Sequence, residues 1–108
     1  MARSVSFERE EMKKRLRLFG LDETHVEEIA TLFAKKNRHI DVVSFVILLE
    51  RYGIGRSNLT TFLKDVGIDD STIINIFSKA DFKRLGLEGK DITQVILEEG
   101  AGTAGASG

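Results

Sequence analysis

The sequence predicts an all-α fold, a compact bundle of five to six short helices built from two similar helical hairpin units. Three observations predict it. Apolar residues recur at helical spacing, as in Val26, Ile29, Ala30 and Phe33. Stop and cap residues bracket those stripes: Gly20 and Gly67 follow two of them, and Asp22, Asp41, Asp69 and Asp91 precede others. Third, the chain matches itself under a displacement of 47 residues.

Helix 1 is expected after Ser6, an N-cap residue type, with Glu8, Glu10 and Glu11 at the positive helix end. Its stripe is Met12, Leu16 and Phe19, and Gly20 is its C′ stop. Thr24-His25-Val26-Glu27 fits a capping box opening helix 2, which ends in Lys35-Lys36-Asn37-Arg38-His39. Helix 3 is placed at about 41–52 with Asp41 as cap. Its run Val42 to Leu49 is apolar almost all round, so a buried strand competes with a buried helix. The Asp cap and the Leu-Leu-Glu-Arg continuation favour the helix.

Helix 4 is expected from Ser57, with Leu59, Phe62, Leu63 and Val66 facing inward and Gly67 ending it. Helix 5 begins near Asp69-Asp70 and carries Ile73, Ile76, Phe77 and Ala80 inward. Residues 81–90 read as a looser link. Helix 6 begins at Asp91, with Gln94 at the N3 place and Ile92, Val95 and Ile96 facing the core. Residues 1–99 are expected to form one helical domain, with units 12–53 and 59–99, and the Gly/Ala/Ser/Thr stretch 100–108 a disordered tail.

Displaced by 47, Leu16 meets Leu63, Gly20 meets Gly67, Asp22 meets Asp69, Val26 meets Ile73 and Ile29 meets Ile76. The register then slips by three, so that Asp41 meets Asp91, Val42 meets Ile92 and Val46 meets Ile96. The slip falls in a loop, where insertions cost least.

Composition narrows the function classes. Among 108 residues there is no Cys, which removes disulfides, thiolate metal sites and Cys nucleophiles and suits a reducing, cytoplasmic setting. The start reads as a charged helix without a signal peptide, and no apolar run approaches a membrane span. Charged residues make up 31%, yet net charge is only −1, without the basic excess of a dedicated nucleic-acid binder. Pro is absent, Gln94 is the only Gln, and Lys, Arg, Glu and Ile are common, a usage compatible with a heat-adapted source.

The stretch Ile29-Ala30-Thr31-Leu32-Phe33, a short polar loop, Ile40-Asp41 and Phe45 to Leu48 is similar to the helix, loop, isoleucine, helix order of EF-hand proteins. With Ile40 at loop position 8, Phe33, Lys35 and Asn37 take positions 1, 3 and 5, Arg38 takes the Gly place and Ser44 the bidentate Glu place. Of positions 1, 3 and 5 only Asn37 could ligate, and Ser44 lacks the bidentate carboxylate, so the resemblance implies paired hairpins without calcium. Residues 59–77 resemble a helix-turn-helix, with Phe62, Val66, Gly67, Ile68, Ile73 and Ile76 at its apolar and turn positions and Leu63 where a small residue is usual. That resemblance implies a recognition helix showing Ser71, Thr72, Asn75 and Lys79 to DNA.

Two basic groups are candidates for a phosphate or an acidic partner: Lys13, Lys14 and Arg17 on helix 1, and Lys35, Lys36 and Arg38 at the end of helix 2. His25 and His39, the only histidines, lack a second ligand at metal spacing. No phosphate-cradling loop and no nucleophile with a recognisable base is present. The expectation is therefore a non-enzymatic protein-interaction module without metal or cofactor. Helix-turn-helix DNA binding ranks second, and lipid or apolar-ligand binding third.

Overall fold

The computed structural model describes residues 4–6, 9–36 and 39–103. The fold is an all-α bundle of six helices: α1 (Arg9–Leu18), α2 (Glu23–Lys35), α3 (Val42–Arg51), α4 (Arg56–Asp65), α5 (Asp70–Gly86) and α6 (Ile92–Thr103).

Local chemistry sets most of the boundaries. Gly20 and Gly67 take φ of 86° and 93°, the left-handed conformation that closes α1 and α4 without a Cβ penalty. The Asp22 carboxylate accepts the His25 amide at 3.1 Å and the Asp41 carboxylate accepts the Ser44 amide at 3.1 Å. α2 is thus capped two residues before Thr24, because Asp22 already sits in the extended geometry an N-cap needs. α4 starts at Arg56 behind Gly55. Before α6, the Asp91 carboxylate accepts the Thr93 amide at 3.0 Å, while Gln94 reaches forward to Glu98.

Three further features depart from the sequence reading. Ser4–Ser6 forms a strand, β1, paired antiparallel with β2 (His39–Asp41) in the register Val5 opposite Ile40. Strands of three residues are too short to show an alternating pattern. α5 continues through residues 81–86, where a link is expected, because Asp81, Lys83 and Arg84 are tied by ion pairs to α4, α6 and α3 and Leu87 at its end is buried. α6 continues through residues 100–103, and residues 104–108 lie outside the described residues, as do Glu8, Asn37 and Arg38.

The competition over residues 42–49 resolves as a helix at the centre of the bundle. Phe45, Val46, Ile47, Leu48 and Leu49 of α3 are all buried. Phe45 meets Phe33 edge-on at 5.2 Å between ring centroids and Phe62 at 5.6 Å, and Phe62 meets Phe19 at 5.7 Å. These rings come from four successive segments and tie the two halves into one core.

The halves also share their layout. α1 spans 9–18 and α4 spans 56–65, a displacement of 47 at both ends; α2 and α5 begin 47 apart, α3 and α6 begin 50 apart. The third helix of each half packs on the second helix of the other, α3 on α5 and α6 on α2.

Candidate functional site

Most of the charge on this surface is consumed within the molecule. On α1, Lys13 is buried against Glu27, which also takes Arg9, and Arg17 grips Glu23 at 2.7 and 3.1 Å. Those contacts hold the Glu23 and Glu27 carboxyls below the usual carboxylate range, the hydrogen bonds from Arg17 and Lys13 respectively being the main cause. Of the first basic group Lys14 stands exposed, while Lys13 and Arg17 are held by carboxylates of α2. Lys35 is exposed and Lys36 half-buried at the end of α2. The described basic candidates therefore do not merge into one field, and Arg38 lies outside the described residues.

A second cluster joins α3, α4 and α5 in a ring of alternating charge. Arg56 pairs with Glu50 at 2.8 Å and with Asp81; Arg84 pairs with Asp81 at 2.8 Å and with Glu50. The Arg56 guanidinium also lies 4.7 Å above the Phe77 ring. Asp81 and then Glu50 hold the Arg56 proton more tightly than in a free guanidinium, and Asp81 is correspondingly held below its ordinary range.

A third cluster is one the sequence does not reveal. The Lys83 ammonium donates to the Ser44 hydroxyl and to Glu99, both at 2.7 Å, and Ser44 donates to Glu99 at 3.2 Å. A serine beside a lysine amine is the outline of an activated nucleophile. Here Ser44 is fully buried and the lysine is already paired with a carboxylate, so the trio joins α3, α5 and α6.

The helix-turn-helix candidates lie on α5. Ser71, Asn75 and Lys79 are exposed and Thr72 is half-buried. The Ser71 hydroxyl is turned to Asp69 at 3.1 Å, and Asp70 at the leading end pairs with Lys64 at 3.0 Å. α5 packs mainly on α3 and only slightly on α4, and Leu63 is fully buried. Among the described residues no three His, Asp or Glu side chains gather as a metal site, and no helix is long and apolar enough to cross a membrane.

Of the four large apolar side chains exposed among the described residues, Leu18 lies on α1 and the other three on the outer face of α5. Its inner face buries Ile73, Ile76 and Ala80, while Ile74, Phe82 and Leu85 point to solvent, 68%, 79% and 77% exposed. Ser71, Ile74, Ser78, Phe82 and Leu85 share that outer face at helical spacing. The signal in the sequence is an apolar surplus on helix 5 beyond the one stripe a core needs. A groove of about 650 Å³ lies elsewhere, between α2 and α6, lined by Leu32 and Leu97 with Glu28 and Lys35 among its charged residues.

No family model, curated protein or solved structure matches the chain.

Proposed function

We propose that this chain is a non-enzymatic protein-interaction module that docks its partner on the outer face of α5. The observation that carries this reading is the exposure of Ile74, Phe82 and Leu85 on one helix face. Single exposed apolar residues are ordinary, but three on one helix face, two of them one turn apart, mark a contact surface. Covering the outer face of α5 removes these three apolar side chains from water.

The internal correspondence supports the same assignment. If the halves are diverged copies of one three-helix unit, as their boundaries suggest, the outer face of α5 is the counterpart of the outer face of α2. Glu27, Thr31 and Lys35 of α2 then correspond to Ile74, Ser78 and Phe82 of α5. At these positions α2 carries charge, with Glu27 paired to Lys13 and Arg9 of α1, and α5 carries apolar bulk. The absence of Cys supports a reducing, cytoplasmic setting for the module.

The test is quantitative affinity capture from the source extract, comparing the native chain with a Phe82→Ser, Leu85→Ser double variant. Both positions are exposed, so helix content by circular dichroism should be unchanged. Specific capture is expected to fall at least about ten-fold, the loss of one or two apolar anchors. Equal capture by both chains would remove α5 as the docking face.

A second reading rests on the α2/α6 groove, whose volume is in the range of small-ligand sites. Leu32 and Leu97 suit an acyl chain and Lys35 an anionic head group. Titration with a fluorescent fatty acid tests it, and a signal indifferent to Lys35→Glu and Leu97→Asp would dismiss it.

A further inference from the structure

We infer that the partner covering α5 is a second copy of this chain, packed α5 against α5 in antiparallel around a two-fold axis at Ser78. The inference rests on the reading of α5 as the docking face. Ile74, Ser78 and Phe82 follow one another at i, i+4 and i+8, forming a single ridge along the exposed face. Packed antiparallel at a small crossing angle of about 20°, two such helices keep their outer-face residues level along the whole contact.

The ridge complements itself. With Ser78 on the axis, Ile74 of one copy lies level with Phe82 of the other, and the same contact repeats by symmetry. Leu85 lies level with the partner's Ser71, so the larger residue meets the smaller one. The axis falls on the smallest residue of the ridge, where the two backbones come closest. A two-fold contact must be self-complementary in this way, whereas a face shaped for an unrelated protein need not be.

Area and charge agree. Ile74, Phe82 and Leu85 present on the order of 400 Å² of surface per copy, so a two-copy contact built on them buries roughly 800 Å², below the roughly 1,200 Å² of standard interfaces and in the range of weak, transient ones. The expected complex is therefore a reversible dimer. A net charge of −1 raises little long-range repulsion between copies.

The test uses the full chain and exploits its lack of cysteine. Ser78→Cys places a lone thiol on the axis, where two copies bring the sulfurs within bonding reach. Under mild oxidation this variant is expected to form a disulfide-linked dimer at least about ten-fold faster than Ser57→Cys, whose thiol is exposed on α4. A mixture of Ser71→Cys and Leu85→Cys is expected to give the mixed dimer faster than either gives its own. Sedimentation equilibrium of the cysteine-free chain should show a monomer–dimer transition between about 1 µM and 1 mM, moved to at least about ten-fold higher concentration by Phe82→Glu.

A monomer throughout that range with equal cross-linking rates overturns the inference. So does a dimer indifferent to Phe82→Glu. If the chain is monomeric while Phe82→Ser with Leu85→Ser still abolishes capture of another protein, the self-association falls and α5 as docking face stands; if capture is also unaffected, both fall.

Discussion

The Lys83 ammonium donates to the Ser44 hydroxyl at 2.7 Å, from α5 in the second half to α3 in the first. Glu99 of α6 accepts from both. Ser44 is the one fully buried polar side chain among the described residues, and its hydroxyl meets Lys83, Glu99 and, at 3.5 Å, the Asp41 carboxylate.

Ser44→Ala should therefore cost about 1 kcal/mol, the net worth of a satisfied hydrogen bond, because Lys83 and Glu99 still pair with each other. Urea unfolding checks it. A loss several times larger would mean that the hydroxyl organises more than this trio.

Phe45 touches Phe33 and Phe62 and is fully buried, so it bridges the halves. Phe45→Ala should destabilise by about 3–5 kcal/mol, a large share of the stability of a domain this size. Guanidinium unfolding should show the midpoint falling for the whole molecule in one transition, because one core holds both halves. Two separated transitions would show that the halves fold independently.

Two glycines should respond with opposite signs. At Gly67, φ is +93° and a Cβ would meet nothing within 4 Å, so Gly67→Ala carries only the backbone penalty of about 1–2 kcal/mol. Gly86 ends α5 without a positive φ and also with open space, so Gly86→Ala should stabilise by about 0.5–1 kcal/mol. Thermal unfolding of the two variants separates the effects, and equal shifts would contradict the backbone argument.

Tyr52 is the only tyrosine, so its ionisation can be followed directly by ultraviolet absorbance. Burial, followed by its 3.0 Å hydrogen bond to Glu28, pushes its pKa up to about 12 from an ordinary value near 10. A raised phenol pKa means the folded state favours the neutral ring. That stability is fully present below pH 10 and is lost as pH rises towards 12. Glu28→Gln should lower the transition by removing the carboxylate, while leaving the burial contribution. A native titration at the ordinary value would refute the buried, bonded phenol.

The acid side has the opposite sign. Glu23, Glu27 and Asp81 have folded pKa values held below their ordinary range by Arg17, Lys13 and Arg56 respectively. Their contribution is present above about pH 4–5 and is lost as pH falls through the lowered values. Because these groups are exposed, the loss should be small and should shrink further at high salt. A stability that rises on acidification would overturn this.

What the residues determine alone is the information carried by short range: the helical periods, the Gly stops at 20 and 67, the Asp caps, and the six helices in order. Each depends on contacts within about one turn of the chain, so spacing and residue type suffice. They also separate helix from strand at 42–49, where the Asp41 cap outweighs four β-branched side chains. The tertiary structure decides which of two apolar faces a helix turns inward. For α5 that choice leaves Phe82 and Leu85 in solvent and extends the helix where the chain alone reads as a link. It also decides which charges are spent: Lys13 and Arg17, basic candidates by spacing, are consumed by Glu27 and Glu23 of the neighbouring helix. Pairing of β1 with β2 and the meeting of Ser44 with Lys83 belong to the same class. The partners lie 33 or more residues apart, and their contacts exist only after the helices have packed.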